Sequence, residues 1–337
     1  MLRGAHGWIV LVVLVAGTPV MSQMSGARTG MDRKDPRFDT LVPRGAALEQ
    51  LAAGFAWSEG PVWDRKTGAL LFSDIPNNVI NRWTPADGIT VFLKPAGYTG
   101  SEPFTGREPG SNGLTFDAQG HLVLCQHGDR RISRLNADRT FTTLVDRYEG
   151  KRLNSPNDLV YHSSGALYFT DPPYGLPKTF NDPGRELDFT GVYRLGSDGR
   201  LTLLTKELKA PNGLAFSPDE KTLYVAQSAG DRPIWMAYPV TADGTLGAGK
   251  LLADASAVAK AGKPGAPDGL KVDVQGNLFA TGPGGVWVIA PDGTHLGTIE
   301  TGVPTANVAW GDDGSVLYIT ANDKLYRVKT STKGKMP

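Results

Sequence analysis

The sequence lacks the motifs on which several common enzyme chemistries depend. Its one cysteine, Cys125, cannot form an internal disulfide, and an exported protein without one fits a bacterial periplasm. No CxxC, HExxH, P-loop or GxSxG sequence occurs, and the 5 histidines show no metal-ligand spacing. With 35 Lys and Arg against 34 Asp and Glu, the net charge of +1 provides no attraction for nucleic acid or an anionic membrane.

Long apolar runs are also missing, except near the N-terminus. The run at residues 8–16 follows the positive charge of Arg3, and it is shorter than the roughly 20 apolar residues that a membrane helix needs. These features predict a signal peptide over residues 1–22, cleaved between residues 23 and 28. The mature protein would then be periplasmic or secreted, without a membrane contact. An uncleaved membrane anchor is the alternative.

What the sequence does have is many turn residues, 42 Gly and 24 Pro, and a repeated hairpin. In each repeat, a leading residue stands four positions before an aromatic residue or Val, and a Gly or Asp turn and an apolar strand follow. The six leading residues are spaced by 53, 45, 55, 56 and 38 residues and are Glu59, Asn112, Asn157, Asn212, Asp268 and Ala306. Repeats of about 40–50 residues with several short strands are typical of β-propeller blades. We therefore predict an all-β, six-bladed β-propeller over residues 46–330.

The segments on either side of the repeats are less regular. Residues 23–45 are polar and aperiodic, which predicts a partly disordered linker, and residues 331–337 are interpreted as a C-terminal tail. The sequence AALEQLAAGFA at residues 46–56 is compatible with helix or strand. We favour a strand, because the N-terminus of a propeller often supplies the outer strand of the last blade and so closes the ring.

The leading positions predict a central metal site. The first strand of each blade lines the central channel, so six leading residues would form a ring around one point. That ring would hold two carboxylates, three carboxamides and Ala306, with no Lys or Arg. Oxygen ligands with two negative charges suit one hard divalent cation, Ca²⁺ first, with Mg²⁺, Mn²⁺ or Zn²⁺ as alternatives.

Each Asn of the ring also has a simpler interpretation. Asn before Gly or Asp is a turn former that hydrogen-bonds to its own backbone, so Asn112, Asn157 or Asn212 taken singly is compatible with turn chemistry. Glu59 does not fit that interpretation, because Glu is a poor turn residue and occupies the same position in its repeat. As a set, Glu59, Asn157, Asn212 and Asp268 are therefore predicted to bind the metal.

Five motifs carry a resemblance to a known family: SEGPVW, CQHGDRR, SPNDLV with FTDPPYGL, APNGLAFS and PDGLKVD. Over residues 55–328 the chain resembles the SMP-30/gluconolactonase/luciferin-regenerating-enzyme family of propeller hydrolases, and its bacterial gluconolactonases most of all. The resemblance implies one divalent metal held by Glu59, Asn212 and Asp268. It implies that Asn157 binds metal or substrate and that Asp268 transfers a proton. Ala306 departs from relatives that have a polar residue there.

Further residues are candidates for the pocket wall. His127 follows an apolar strand, and could bind lactone hydroxyls, act as a base, or simply be a turn histidine. Asp171 and Tyr174 flank a Pro-Pro loop that is either a pocket wall or a rigid corner. The substrate-binding set is thus predicted as Asn112, Asn157, His127, Asp171 and Tyr174.

The implied function is metal-dependent hydrolysis of a sugar-acid lactone, with D-glucono-1,5-lactone as the leading substrate. Asp268 is the predicted catalytic residue. Another hydrolase on the same site, acting on aryl esters, other lactones or phosphotriesters, is one alternative, because the loops around a site decide its function. A non-catalytic periplasmic binding module is the second. The oligomeric state does not follow from the sequence.

Overall fold

In the computed structural model, which describes Met1 and residues 30–337, the chain forms six large antiparallel sheets and one two-stranded hairpin. Five sheets have four strands and one has five, and each is a blade of one ring. The prediction of an all-β, six-bladed propeller is confirmed.

The strands follow the chain from blade to blade. Two N-terminal strands, β1 (Gly30–Arg33) and β2 (Glu49–Ala53), precede the first blade and flank helix α1 (Arg37–Leu41). Blade one contains β3 (Ser58–Asp64), β4 (Ala69–Asp74), β5 (Val79–Thr84) and β6 (Gly88–Leu93). Blade two contains β7 (Ser111–Phe116), β8 (Leu122–Gln126), β9 (Arg131–Leu135) and β10 (Phe141–Val145). Blade three contains β13 (Leu159–Tyr161), β14 (Leu167–Asp171), β15 (Gly191–Leu195) and β16 (Leu201–Thr205). A small hairpin of β11 (Arg147–Tyr148) and β12 (Lys151–Arg152) joins blades two and three, and a 3₁₀ turn (Thr179–Asn181) lies within blade three.

The second half of the ring has the same plan. Blade four contains β17 (Pro211–Phe216), β18 (Thr222–Gln227), β19 (Ile234–Pro239) and β20 (Lys250–Asp254). Blade five contains β21 (Leu270–Val272), β22 (Leu278–Gly282), β23 (Gly285–Ile289) and β24 (His295–Glu300). Blade six contains β25 (Asn307–Gly311), β26 (Val316–Ala321) and β27 (Lys324–Lys329). Helix α2 (Ser256–Lys260) links blades four and five.

The first strand of every blade is the innermost one. The strands β3, β7, β13, β17, β21 and β25 contact one another in that order, and β25 returns to β3. The ring is closed by β2, which pairs with β27 as the outer strand of blade six. The interpretation of residues 46–56 as the closing strand is therefore confirmed.

The segment before β2 corrects the predicted linker. From Gly30 onward it is structured, because β1 pairs with β24 as a fifth strand of blade five. Phe38 and Leu41 of α1 are buried against blades five and six, and the Arg33 guanidinium donates to the backbone carbonyls of Val42 and Pro43 at 2.9 and 3.0 Å. The predicted signal segment lies, apart from Met1, outside the described residues, and it stays a prediction.

The hydrophobic core is divided among the six junctions between blades. One buried cluster fills each junction, and α1 adds to the one between blades five and six. Second strands such as LVLCQ of β8 and LYFTD of β14 are buried throughout, because blades pack on both of their faces. A strand covered on both faces shows a continuous apolar run rather than an alternating pattern.

One face of the ring carries the starts of the inner strands and the ends of the second strands. The loops at residues 94–110 and 172–190 lie on this face. The two loops approach each other at Gly106, because a Cβ added there would meet both the edge of the Phe104 ring and the backbone of Pro177. The predicted tail crosses the opposite face, where the Val274 amide donates to the Lys333 carbonyl at 2.8 Å. None of the helices in the described residues has the length and apolar content needed to cross a membrane.

Candidate active site

The leading residues of the six repeats all lie at or just before the start of an inner strand. Glu59, Asn112 and Asn212 are the second residues of β3, β7 and β17. Asn157 and Asp268 lie two residues before β13 and β21, and Ala306 immediately precedes β25. All are buried except Asp268, which is partly open to solvent. The structure thus brings the predicted ring together at one end of the channel.

Two of the three Asn side chains of the ring are held by their nitrogens. Asn212 Nδ2 donates to Ser228 Oγ at 2.8 Å, and Asn112 Nδ2 lies 3.3 Å from His127 Nε2. The Oδ1 atoms of Asn112, Asn157 and Asn212 are buried, and they have no hydrogen-bond partner in the part of the chain that the structure describes. A buried polar atom without a partner is costly, so three of them in one ring indicate a site built for a cation or a donor group.

The two ring carboxylates, Glu59 and Asp268, repel each other when both are ionised. Burial is the main cause that raises the pKa of Glu59, and the charge of Asp158 adds to it. Burial also raises the pKa of Asp268 well above its usual range, and the charges of Glu59, Asp158 and Glu108 act in the same direction. A cation between them would favour the charged forms of both.

These residues fit a divalent cation by donor chemistry. Carboxylate and carboxamide oxygens are the ligands that Ca²⁺ prefers. In the part of the chain that the structure describes, no group of three or more His, Cys, Asp or Glu side chains is placed to hold a metal. The ring supplies only two carboxylates, and its remaining donors are Asn.

A second layer lies one residue further along each inner strand. It consists of four glycines and two polar residues: Gly60, Gly113, Asp158, Gly213, Gly269 and Asn307. The Asn307 carboxamide donates to Asp158 Oδ2 at 3.4 Å, and it also opposes the rise in the pKa of Glu59. A Cβ on Gly269 would lie 1.9 Å from Asn307 Cγ, so the glycine provides the space that the carboxamide fills.

Asp158 and Asn307 are site residues that the sequence interpretation missed. A signal for them exists, since four of the six repeats have Gly immediately after the leading residue and only these two repeats have a polar residue. Lys271 is a further neighbour, because its charge opposes the rise in the pKa of Glu59 and Asp158 that burial causes.

The structure places His127 behind Asn112. Its ring is fully buried, with Nδ1 2.8 Å from Glu108 Oε2 and Nε2 3.3 Å from the Asn112 carboxamide nitrogen. In this arrangement His127 holds the nitrogen of Asn112 and leaves the Asn112 oxygen on the ring. A direct contact of His127 with lactone, or its action as a base, stays a prediction.

Asp171, which is predicted to bind substrate, supports the backbone in this structure. Its two carboxylate oxygens accept the backbone N–H groups of Asn154 and Ser155, both at 2.8 Å, and burial raises its pKa to about 7 despite these bonds. Asp74 at the end of β4 accepts the N–H groups of Ala56 and Trp57 in the same way. The end of the second strand therefore anchors the segment that enters the first strand.

Tyr174 stays a candidate for the pocket wall. Burial raises its pKa to about 12, and Ser228, which accepts a hydrogen bond from Asn212 Nδ2, opposes that rise. Its ring packs edge-on against Phe180 at 5.8 Å. A cavity of about 330 Å³ beside both rings is lined in addition by Lys209, Ala210, Ala229 and Asp231.

Comparison with known proteins places the chain in a family. The family model described as "SMP-30/Gluconolactonase/LRE-like region" matches residues 57–323. The chain belongs to this family. It is 42% identical to a gluconolactonase of Zymomonas mobilis over 322 residues, which cover 93% of this chain and 90% of that protein. The resemblance inferred from the five motifs is confirmed.

Solved structures support the same placement. A gluconolactonase from Xanthomonas campestris is 34% identical, with a TM-score of 0.77 over 89% of this chain and 94% of that one. A calcium-binding regucalcin from Agrobacterium tumefaciens is 20% identical, with a TM-score of 0.67 over 86% and 96%, and it shares the fold. As a member of this family with lactonase relatives, the chain is a lactone-hydrolysing enzyme, and the interpretation as a non-catalytic module is dropped.

Proposed function

We propose that this enzyme hydrolyses a sugar-acid lactone, with D-glucono-1,5-lactone as its first candidate, and that it requires one divalent cation, Ca²⁺ before Mg²⁺, Mn²⁺ or Zn²⁺. The observation that carries the cation is the set of three buried, unpartnered Asn oxygens beside two carboxylates. The substrate follows from the Zymomonas mobilis relative, which is named a gluconolactonase and aligns along almost the whole chain.

Glu59, Asn157, Asn212 and Asp268 would hold the cation, and Asn112 would complete the ring toward cation or substrate. When bound, such an ion acts as a Lewis acid on a carbonyl and stabilises the oxyanion that develops. Glu59 is buried beneath this point and is restrained by Asn307, so its role is that of an ionised ligand.

Asp268 has a different role, because it alone among the ring residues is partly open to solvent. In lactone hydrolysis a water oxygen attacks the carbonyl carbon, the bond between that carbon and the ring oxygen breaks, and the ring oxygen gains a proton. Asp268 takes the proton from the attacking water and returns it to the ring oxygen. A positioned carboxylate can perform both transfers in sequence.

The proposal is tested by following acid release at constant pH, corrected for the uncatalysed rate. D-glucono-1,5-lactone should be hydrolysed with the greatest kcat/KM in a panel that also contains an aldono-1,4-lactone, an N-acyl homoserine lactone, an aryl ester and a phosphotriester. Protein stripped with a chelator should be inactive and should recover on addition of Ca²⁺ or another of the four ions. Greater activity on the aryl ester or phosphotriester, or full activity after stripping, would contradict the proposal.

A further inference from the structure

Glu108 is a partly exposed carboxylate beside His127 that the motifs do not mark. It lies in the loop at residues 94–110, between blades one and two. Its Oε2 accepts a hydrogen bond from His127 Nδ1 at 2.8 Å, while its Oε1 has no hydrogen-bond partner among the described residues. The side chain keeps 31% of its surface exposed, so this second oxygen is available to a ligand.

The loop holds Glu108 in a defined position. The Gly110 amide donates to the Ile75 carbonyl at 2.9 Å, and the His127 amide donates to the Gly110 carbonyl at 3.1 Å. On the other side of the loop, the Asn78 side chain donates to the Tyr98 carbonyl at 2.8 Å. A polar group on such a supported loop needs little ordering when it binds a ligand.

Glu108 is linked to the ring and lies near Asp268 and Tyr174. Through His127 it is two hydrogen bonds from Asn112, whose oxygen lies on the ring. Burial is the main cause that raises the pKa of Asp268 and of Tyr174, and the negative charge of Glu108 contributes to both shifts. Glu108 is thus close enough to act on both residues, one on the ring and one on the pocket wall.

We propose that Glu108 selects polyhydroxylated lactones, because its free Oε1 accepts a hydrogen bond from a lactone hydroxyl group. The inference rests on the proposed function and adds the group that recognises the sugar part of the substrate. A carboxylate oxygen accepts but cannot donate, so it matches a hydroxyl and gains nothing from an alkyl or unsubstituted ring. Recognition of hydroxyl groups gives strong selectivity because the partner group is otherwise left unpaired.

The test uses two six-membered lactones, D-glucono-1,5-lactone and δ-valerolactone, which differ in their hydroxyl groups. In Glu108→Gln, kcat/KM for the gluconolactone should fall about 10–100-fold, the range for a hydrogen bond to a charged group, mainly through KM. The kcat/KM for δ-valerolactone should stay within about 2-fold. Glu102→Gln, an exposed residue of the same loop, is the matched control and should change neither substrate.

A purely structural role for Glu108 would give a different result. If its only task were to orient His127 and Asn112, the substitution would lower activity on both lactones by the same factor, and the inference would be overturned. Unchanged selectivity with full activity would overturn it as well. Ca²⁺ affinity measured by calorimetry should be the same in Glu108→Gln and wild type. If the wild-type enzyme hydrolyses neither lactone, the proposed function itself fails, and this inference falls with it.

Discussion

Glu59 and Asp268 occupy equivalent positions in their repeats, but they differ in exposure, and this difference predicts different mutant phenotypes. Asp268→Asn keeps an oxygen ligand and removes the basic site, so kcat at saturating Ca²⁺ should fall about 10²–10⁴-fold. Glu59→Gln should mainly weaken cation affinity and should recover part of its activity with excess ion. Steady-state kinetics over a Ca²⁺ series, with affinities from calorimetry, distinguish the two. Asp268→Asn with more than about a tenth of wild-type kcat would rule out the proton-transfer role.

The second layer of the channel makes its own prediction at the residue scale. Gly269→Ala would place a Cβ 1.9 Å from Asn307 Cγ, so Asn307 must move away from Asp158, to which it donates, and from Glu59, whose charged form it favours. We expect a lower unfolding temperature and weaker Ca²⁺ binding. Gly45→Ala is the control, because a Cβ there would meet nothing within 4 Å.

A double variant tests whether the collision is the cause. Adding Asn307→Ala to Gly269→Ala removes the colliding group. The unfolding temperature of the double variant should therefore fall by less than the sum of the decreases in the two single variants. Cation affinity should stay low, because the restraint on Glu59 is still absent. Additive losses of stability would show that the two positions are not coupled.

At the scale of elements, the N-terminal strand and helix are part of the propeller. Phe38 of α1 is fully buried between blades five and six, and Gly297 of β24 leaves room for its ring. Phe38→Ala should lower the free energy of unfolding by about 3–5 kcal/mol, the usual cost of removing a buried aromatic side chain. Chemical denaturation measures this, and Val91→Ala on the exposed surface of β6 should change it by about 0.5 kcal/mol or less. If Phe38→Ala lowered the free energy of unfolding by as little as Val91→Ala, this segment would contribute nothing to the stability of the fold.

At the scale of the whole molecule, the starts of the six inner strands surround one central site. The ring brings together the buried Glu59 and the partly exposed Asp268, whose negative charges repel each other, and a cation would bind the folded state only, because the unfolded chain has no such ring. Ca²⁺ at 100 times its Kd should therefore stabilise the protein by about 2.7 kcal/mol and raise Tm by several degrees. Thermal melts with Ca²⁺ and with a chelator measure the difference, and Glu59→Gln should show a smaller shift at the same concentration. Identical melts for wild type under both conditions would contradict a cation in the ring.

Several features of this protein follow from local patterns in the sequence. The hairpin spacing predicts the six blades, and the residue four positions before each aromatic or Val predicts the ring of Glu59, Asn112, Asn157, Asn212 and Asp268. Both predictions succeed because every repeat obeys the same strand geometry, so an equivalent position in sequence becomes an equivalent position around the axis. The closing strand was predicted for a related reason, since a ring needs a last pairing.

Other features depend on contacts between segments that are distant in sequence, and only the tertiary structure decided them. Asn307 meets Asp158 from 149 residues away, His127 is held by a loop carboxylate 19 residues earlier, and α1 packs on blades that come more than 200 residues later. Local pattern predicts which residues face the axis, because side-chain direction alternates along a strand. Local pattern does not predict which groups hydrogen-bond to an imidazole or a carboxamide, or which surface covers the apolar side chains of a short polar segment. These partners depend on the three-dimensional arrangement of the blades.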